Sequence, residues 1–319
     1  MVRLLKRDVD FLSHRKVFFT LSLLLVIASL VALPLRGINL GIEFQGGSSI
    51  DIKETAAITI EEMRTTCEDI GLEAPIIQTT ADPTTGSNGF IVRIAETDAA
   101  IASGYADQIV EKLSLASEQA EVMTISPSWG AEVTRTSLIA FLVAIALIIG
   151  YIAIRFEYKM GFVAVATLVH DLVIVIGVYA VFQREVTPNV IAALLTIMGY
   201  SLYDTVVVFH RINDNLSSTA NHSFMTVANH SVNQVLTRTI NTTLTSLVPV
   251  LAMLFFGGET LKDFAFAMAI GLVLGSYSSI AIASPLYALW KQREPKFKKL
   301  HSKFGDGVGV FTIEEQLKD

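Results

Sequence analysis

The chain has 319 residues, 52% hydrophobic and only 17% charged, whereas ordinary soluble domains carry roughly a quarter charged residues. The net charge of −6 hides an uneven distribution: residues 37–134 hold 16 acidic and 4 basic residues, while residues 291–303 hold six basic and one acidic. This balance excludes a simple soluble globular protein, and the single cysteine, Cys67, excludes an intramolecular disulfide.

At the N-terminus Arg3, Lys6, Arg7, Arg15 and Lys16 precede an apolar run over residues 17–35. A signal peptide and a membrane span both begin this way. The run is longer than an h-region of about 7 to 15 residues, and the LPLRGIN that follows lacks a small-x-small cleavage pattern, so the segment is read as a span.

Residues 37–134 then change character, to strand alternation and amphipathic helical periods with polar surfaces. The stretch GIEFQGGSS (residues 41–49) has two readings. A phosphate loop would need a following GK[ST] and a helix opening behind it. A bend linking span to domain needs only glycines at positive φ, supplied by Gly46 and Gly47, with Glu43 and Phe44 beside them as a hinge. Residues 49–53 alternate as a strand, and Thr59 with Glu62 forms a capping-box pattern for a helix that Gly71 stops. Strands follow at residues 75–79 and 90–95 around the turn-rich DPTTGSNG, then a helix over residues 98–115 and a strand over 121–126. The order βαββαβ predicts an α+β ferredoxin-like domain inserted into a membrane protein. Cys67, on its first helix, reads as a packed apolar thiol.

Because only a helix of about 20 residues satisfies its own backbone across a bilayer, further spans are expected at residues 137–154, 161–182, 189–209, 239–256 and 264–290. The predicted architecture is a membrane all-α six-helix bundle. Its parts are residues 1–36 (N-terminus and first helix), 37–134 (the inserted domain), 135–290 (helices two to six) and 291–319 (a basic tail). Short basic loops stay on the cytoplasmic side. Arg155, Lys159, the loop from Arg211 and the basic tail therefore place both termini in the cytoplasm and the inserted domain outside.

Ionisable groups inside spans cost roughly 2.5 to 3.5 kcal/mol on insertion scales and so mark partners or wet cavities. Three sites stand out: His170 with Asp171 in the third span, Asp204 in the fourth and Arg238 at the start of the fifth. Asp204 and Arg238 lie at similar depth. They fit either a permanent ion pair fastening two helices or a proton switch. In the switch, desolvation and an arginine's field act oppositely on a carboxyl, so a small change in helix separation loads or releases a proton. One charge moved through about 100 mV yields roughly 2.3 kcal/mol, an equilibrium bias of about fiftyfold. From Arg238 a polar face continues through Asn241, Thr242, Thr245 and Pro249. On the sixth span Gly271, Gly275 and Ser279 recur every four residues, a small-residue stripe suited to close helix packing.

Five motifs taken together carry a resemblance: GIEFQGGSS, GYSLYDTVVVFHRINDN (199–215), LTRTINTTLTSL (236–247), FFGGETLKDF (255–264) and GSYSSIAIASPL (275–286), with HD in the third span. The chain resembles the SecD/SecF family of protein translocase subunits, of the resistance-nodulation-division type, and its SecF branch in particular. The resemblance implies a half of an RND-type assembly completed by SecD. It implies action beside the SecYEG channel, with SecA and a YidC-type insertase as further partners, on unfolded exported polypeptides within membrane lipid. It also implies use of the proton-motive force, with Asp204 and Arg238 at the positions of the essential charges and His170–Asp171 at the HD pair. Glu43 and Ser48 stand where the family commonly has Asp and Thr, and His210 where it commonly has Asp.

A small-molecule or lipid exporter on the same scaffold, and a non-conducting assembly scaffold, remain alternatives. No enzyme, cofactor, metal or nucleic-acid partner is expected, because no nucleophile, ligand cluster or phosphate loop accompanies the membrane charges. The sequence leaves H⁺ and Na⁺ both open as the coupling ion.

Overall fold

The computed structural model describes residues 8–53, 55, 58–72, 75–81, 88–216 and 222–304. Arg3, Lys6 and Arg7, most of the DPTTGSNG connection, and the tail from residue 305 lie outside the described residues.

In chain order, α1 (Arg15–Arg36) is followed by a two-residue strand β1 (Asn39–Leu40) and a single helical turn α2 (Ile42–Gln45). Then come β2 (Gly47–Ile52), α3 (Ile60–Asp69), β3 (Ile76–Ala81), β4 (Asn88–Ile94), α4 (Ala99–Lys112) and β5 (Ala120–Ile125). The rest is helical: α5 (Pro127–Arg155), α6 (Tyr158–Phe182), α7 (Pro188–Leu216), α8 (Phe224–Phe256), α9 (Gly258–Ser278), α10 (Ser284–Lys291) and α11 (Pro295–Phe304). A short strand β6 (Glu185–Val186) interrupts between α6 and α7, and a π-turn (Ser279–Ala283) joins α9 to α10.

Local chemistry sets the ends of these elements. Thr59 Oγ1 accepts the Glu62 N–H at 3.2 Å and Glu62 Oε2 accepts the Thr59 N–H at 2.8 Å, a capping box that starts α3. Asp98 caps α4 by accepting the Ala100 N–H at 2.8 Å. Ser126 caps α5, with Pro127 in the first turn where its missing N–H costs nothing. That helix therefore begins at Pro127, well before its apolar run.

Strands β2 to β5 form one antiparallel sheet in the order β3-β4-β2-β5. Alternation along the central β2 buries Ile50 and Ile52 against Met63, Cys67, Phe90, Val92 and Ile109. Burial, with a smaller contribution from Glu68, pushes the Cys67 thiol up to about 11. Its thiolate population at neutral pH is then on the order of a hundredfold below that of a free cysteine. Cys67 is expected to resist maleimide at pH 7 in the folded protein and to react promptly once the domain is unfolded in denaturant, which a mass-spectrometric labelling time course checks.

Among the described residues six helices are long and apolar enough to cross a membrane: α1, α5, α6, α7, α8 and the composite helix Leu261–Lys291. In their most apolar windows α6, α7 and the composite helix are 50%, 44% and 61% buried, against 11%, 6% and 11% for α1, α5 and α8. The first three are therefore the bundle's centre, and the others present apolar flanks outward. The chain between the fourth and fifth spans is shorter than the sequence suggests, because α7 runs on to Leu216 and α8 starts at Phe224.

The α/β domain joins the bundle at a compact seam. Strand β1 pairs in parallel with β6, Asn39 opposite Glu185 and Leu40 opposite Val186. Gly46 and Gly47 have φ of 78° and 131°, which allows the turn from α2 into β2. A Cβ on Gly46 would lie 2.9 Å from Pro127 Cα, and one on Gly47 would lie 2.6 Å from the Ile94 carbonyl oxygen. Both conformation and space thus demand glycine. Gly47→Ala is expected to destabilise the protein by at least about 1–2 kcal/mol through the left-handed backbone alone, read as a lowered unfolding temperature in detergent.

Candidate ion-coupling site in the helix bundle

The centre of the bundle is tied by a carboxylate. Asp171 on α6 is completely buried, and its Oδ2 accepts hydrogen bonds from Ser201 Oγ of α7 at 2.6 Å and Ser278 Oγ of α9 at 2.7 Å. Its Oδ1 lies 2.9 Å from His170 Nδ1. Two hydroxyls and an imidazole surround this charge, and three helices are joined through it. The other ring nitrogen, His170 Nε2, is buried with no hydrogen-bond partner among the described residues.

Close helix approach makes this possible. Gly275 leaves so little room that a Cβ there would lie 3.0 Å from Ser201 Cβ, and one on Gly271 would run into Ile197. Ser279 Oγ, one helical turn further on, lies 2.8 Å from Thr205 Oγ1 of α7. The π-turn begins at that residue, and Ser284 Oγ donates to the Ser279 carbonyl at 2.8 Å, adding a side-chain bond within the irregular turn.

Asp204 on α7 is also buried, at 3% exposure, but it is held differently. Among the described residues its side chain accepts one hydrogen bond, from Ser276 Oγ of α9 at 3.3 Å, and makes no ion pair within 4.0 Å. Ser276 Oγ also contacts Thr243 Oγ1 of α8. Asp171 has three close hydrogen-bonding neighbours on its two oxygens; Asp204 is loosely held.

Arg238 does not close on Asp204 in this structure. It is exposed on α8, donates to the Tyr203 hydroxyl and stacks over that ring with its guanidinium carbon 5.5 Å from the centroid. Asn241 and Thr245 are likewise exposed and Thr242 is half-buried, so this polar face looks outward from the chain. Its hydroxyls bond to their own helix: Thr242 Oγ1 donates to the Arg238 carbonyl and Thr245 Oγ1 to that of Asn241. The inward face of α8 carries Thr239 and Thr243 instead.

Where α2 meets α5, Phe44 packs on the central core cluster, and its carbonyl oxygen would meet a Cβ on Gly130 of α5 at 2.7 Å. Glu43 lies beside Glu185. No group of three or more His, Cys, Asp or Glu positioned for a metal occurs among the described residues. Ser201, Ser276 and Ser278 are the site residues that spacing does not single out, since serine in a span reads equally well as a small packing residue.

Six apolar helices with polar side chains gathered between three of them define a multi-pass membrane protein. Residues 106–293 match the family described as "Protein export membrane protein SecD/SecF, C-terminal", and residues 31–53 match the "SecD/SecF GG Motif". The protein translocase subunit SecF of Streptomyces coelicolor is 34% identical over 302 residues, covering 92% of this chain and 80% of that protein. The protein translocase subunit SecDF of Bacillus subtilis is 34% identical over 292 residues, covering 90% of this chain and 39% of that longer protein. The crystal structure of SecDF from Thermus thermophilus, titled a translocon-associated membrane protein, superposes with a TM-score of 0.82 at 31% identity over 92% of this chain and 40% of that one. The chain therefore spans about two fifths of the SecDF proteins it matches. It belongs to the SecD/SecF family of protein export membrane proteins.

Removing the donors to Asp171 tests its fastening role. Ser201→Ala and Ser278→Ala are each expected to cost about 1–3 kcal/mol as a charge-assisted bond is lost. The double variant is expected to depart from additivity because both hydroxyls serve one oxygen. Unfolding in mixed detergent micelles measures all three.

Proposed function

We propose that this chain is an accessory subunit of Sec protein export that works with a SecD partner beside the SecYEG channel. On this reading it draws on the proton-motive force to promote late translocation and release of polypeptides. Family membership supports the export role, and the SecDF relatives support the pairing with SecD, because there a single chain runs on beyond the region matched here. SecA and a YidC-type insertase are further partners in this proposal.

The observation that carries the coupling role is the contrast between the two buried aspartates. A carboxylate with three close donors is fixed. One with a single 3.3 Å bond can exchange a proton without dismantling the bundle, so Asp204 is the proton carrier and Asp171, with His170, the organising group. The outward polar face of α8 supports the pairing with SecD. Arg238, Asn241 and Thr245 at membrane depth would be costly against lipid and gain from a partner helix. Arg238 then acts across the subunit boundary, and its tie to Tyr203, next to Asp204 in the chain, gives the two charges a mechanical link.

The remaining assignments follow the same reading. The N- and C-termini are cytoplasmic, by the distribution of basic residues in short loops. Residues 37–134 form an extracytoplasmic domain of the ferredoxin-like class, a reading supported by the strand order β3-β4-β2-β5 with two helices. The bundle is half of an RND-type transporter.

Translocation into inverted vesicles carrying this chain with SecD tests the proposal. Wild type is expected to be stimulated by an imposed proton gradient, and Asp204→Asn to lose that stimulation while retaining gradient-independent transport. Equal stimulation of the two would leave Asp204 a structural residue.

A further inference from the structure

The seam between the α/β domain and the bundle contains an unbalanced charge cluster. Arg93 on β4 reaches across the domain boundary to form an ion pair with Glu185 of β6. Both are shielded, with side-chain exposures of 15% and 3%. Glu43, from the turn α2, comes in from a third element. Its Oε2 and the Glu185 Oε1 crowd the same face of Gly41, where a Cβ would meet both.

Among the described residues two buried polar atoms in this cluster have no hydrogen-bond partner, Glu43 Oε2 and Arg93 Nη1, and Glu185 Oε2 is met by Arg93 alone, without an aligned hydrogen bond. Such a concentration is unusual, because buried polar atoms are nearly always paired. The neighbouring charges do not relieve it. Arg184 is committed to Asp263 of α9 at 2.9 Å, Asp263 adds a further negative charge, and Lys262 lies on the rim of the adjoining cleft. One guanidinium thus faces two carboxylates in a shielded joint. A single proton removes the excess negative charge and supplies a donor to an orphaned oxygen.

We propose that Glu185, with Glu43 and Arg93, is a proton-binding site at the joint, and that its occupancy governs how firmly the α/β domain docks on the helix bundle. Burial raises the Glu185 carboxyl from the usual glutamate range to about 7; Arg93 opposes the rise, and Glu43 and Asp263 add to it. A docked joint thus holds the proton more tightly than a separated, hydrated one. Docking is therefore strengthened at low pH and weakened as pH rises through about 7. A cleft of about 760 Å³, lined by Phe90 and Thr79 of the sheet and by Phe182, Arg184 and Glu185 of the bundle, opens onto the site and gives water a path to it. This site is separate from Asp204 and stands without the export reading.

Spin labels report the docking directly. The full chain in lipid nanodiscs carries one label at Asp107→Cys on α4 and another at Leu35→Cys at the end of α1, while the buried Cys67 stays unlabelled. Double electron–electron resonance is read from pH 5.5 to 8.5. The ratio of separated to docked conformers is expected to rise roughly thirtyfold across that range, the value linkage requires for this difference in proton affinity. Glu185→Gln is expected to hold the docked distance at every pH. Glu43→Gln is expected to move the midpoint to lower pH by removing a repelling neighbour, which keeps the proposal testable if Glu185→Gln fails to fold. An unchanging distance distribution, separation on acidification, a pH response that survives Glu185→Gln, or a midpoint unmoved in Glu43→Gln would each overturn it. Asp204→Asn is expected to keep the full pH response, so failure of the coupling proposal and failure of this one are told apart.

Discussion

The carboxylate of Asp171 is the point on which the bundle depends. A fully buried charge in a bilayer is tolerated only when donors surround it, and here they come from two other helices, Ser201 of α7 and Ser278 of α9. That requirement explains the geometry around it. Helix α9 must approach α7 closely, so glycines occupy positions 271 and 275 where a Cβ would collide. Past this tight contact the helix passes into a π-turn, to whose Ser279 carbonyl Ser284 Oγ donates. Ser276 is consequently aimed at Asp204 and Ser279 at Thr205, so one organising charge sets the position of the second.

The two charged groups that sequence places at the same depth serve different surfaces. Asp204 points into the bundle and Arg238 out of it, with the Tyr203 hydroxyl between the arginine and the helix that bears the aspartate. A polar stripe on the outside of a membrane helix is unstable against hydrocarbon. The low burial of α1, α5 and α8 has the same consequence for shape. This chain has a well-packed centre and unfinished flanks, the arrangement expected of a subunit completed by another.

At the other end, the α/β domain is not hung from a flexible linker. Three attachments converge within a few residues: the β1–β6 pairing, the packing of α2 on α5 through glycine backbones, and the Arg93–Glu185 ion pair. Glu185 sits between α6, which carries Asp171, and α7, which carries Asp204.

Much of this was legible in the sequence because it is written locally. Runs of about 20 apolar residues, the capping box at Thr59 and the paired glycines each act over a few neighbours, so spans, helix starts and the glycine bend follow from spacing alone. The membrane also makes an ionisable residue within a span conspicuous, which is why His170, Asp171, Asp204 and Arg238 stand out without coordinates. Tertiary structure alone decided the partnerships. Whether Arg238 meets Asp204 or Tyr203 depends on the rotation of α8, which periodicity leaves open because both faces of that helix carry threonines. The serines that hold Asp171 come from helices 30 and 107 residues away in the chain, and the charge excess at Glu43, Arg93 and Glu185 exists only once three distant segments are packed together. Local physics determines which segments form and which residues are costly; what compensates those costs is a property of packing in three dimensions.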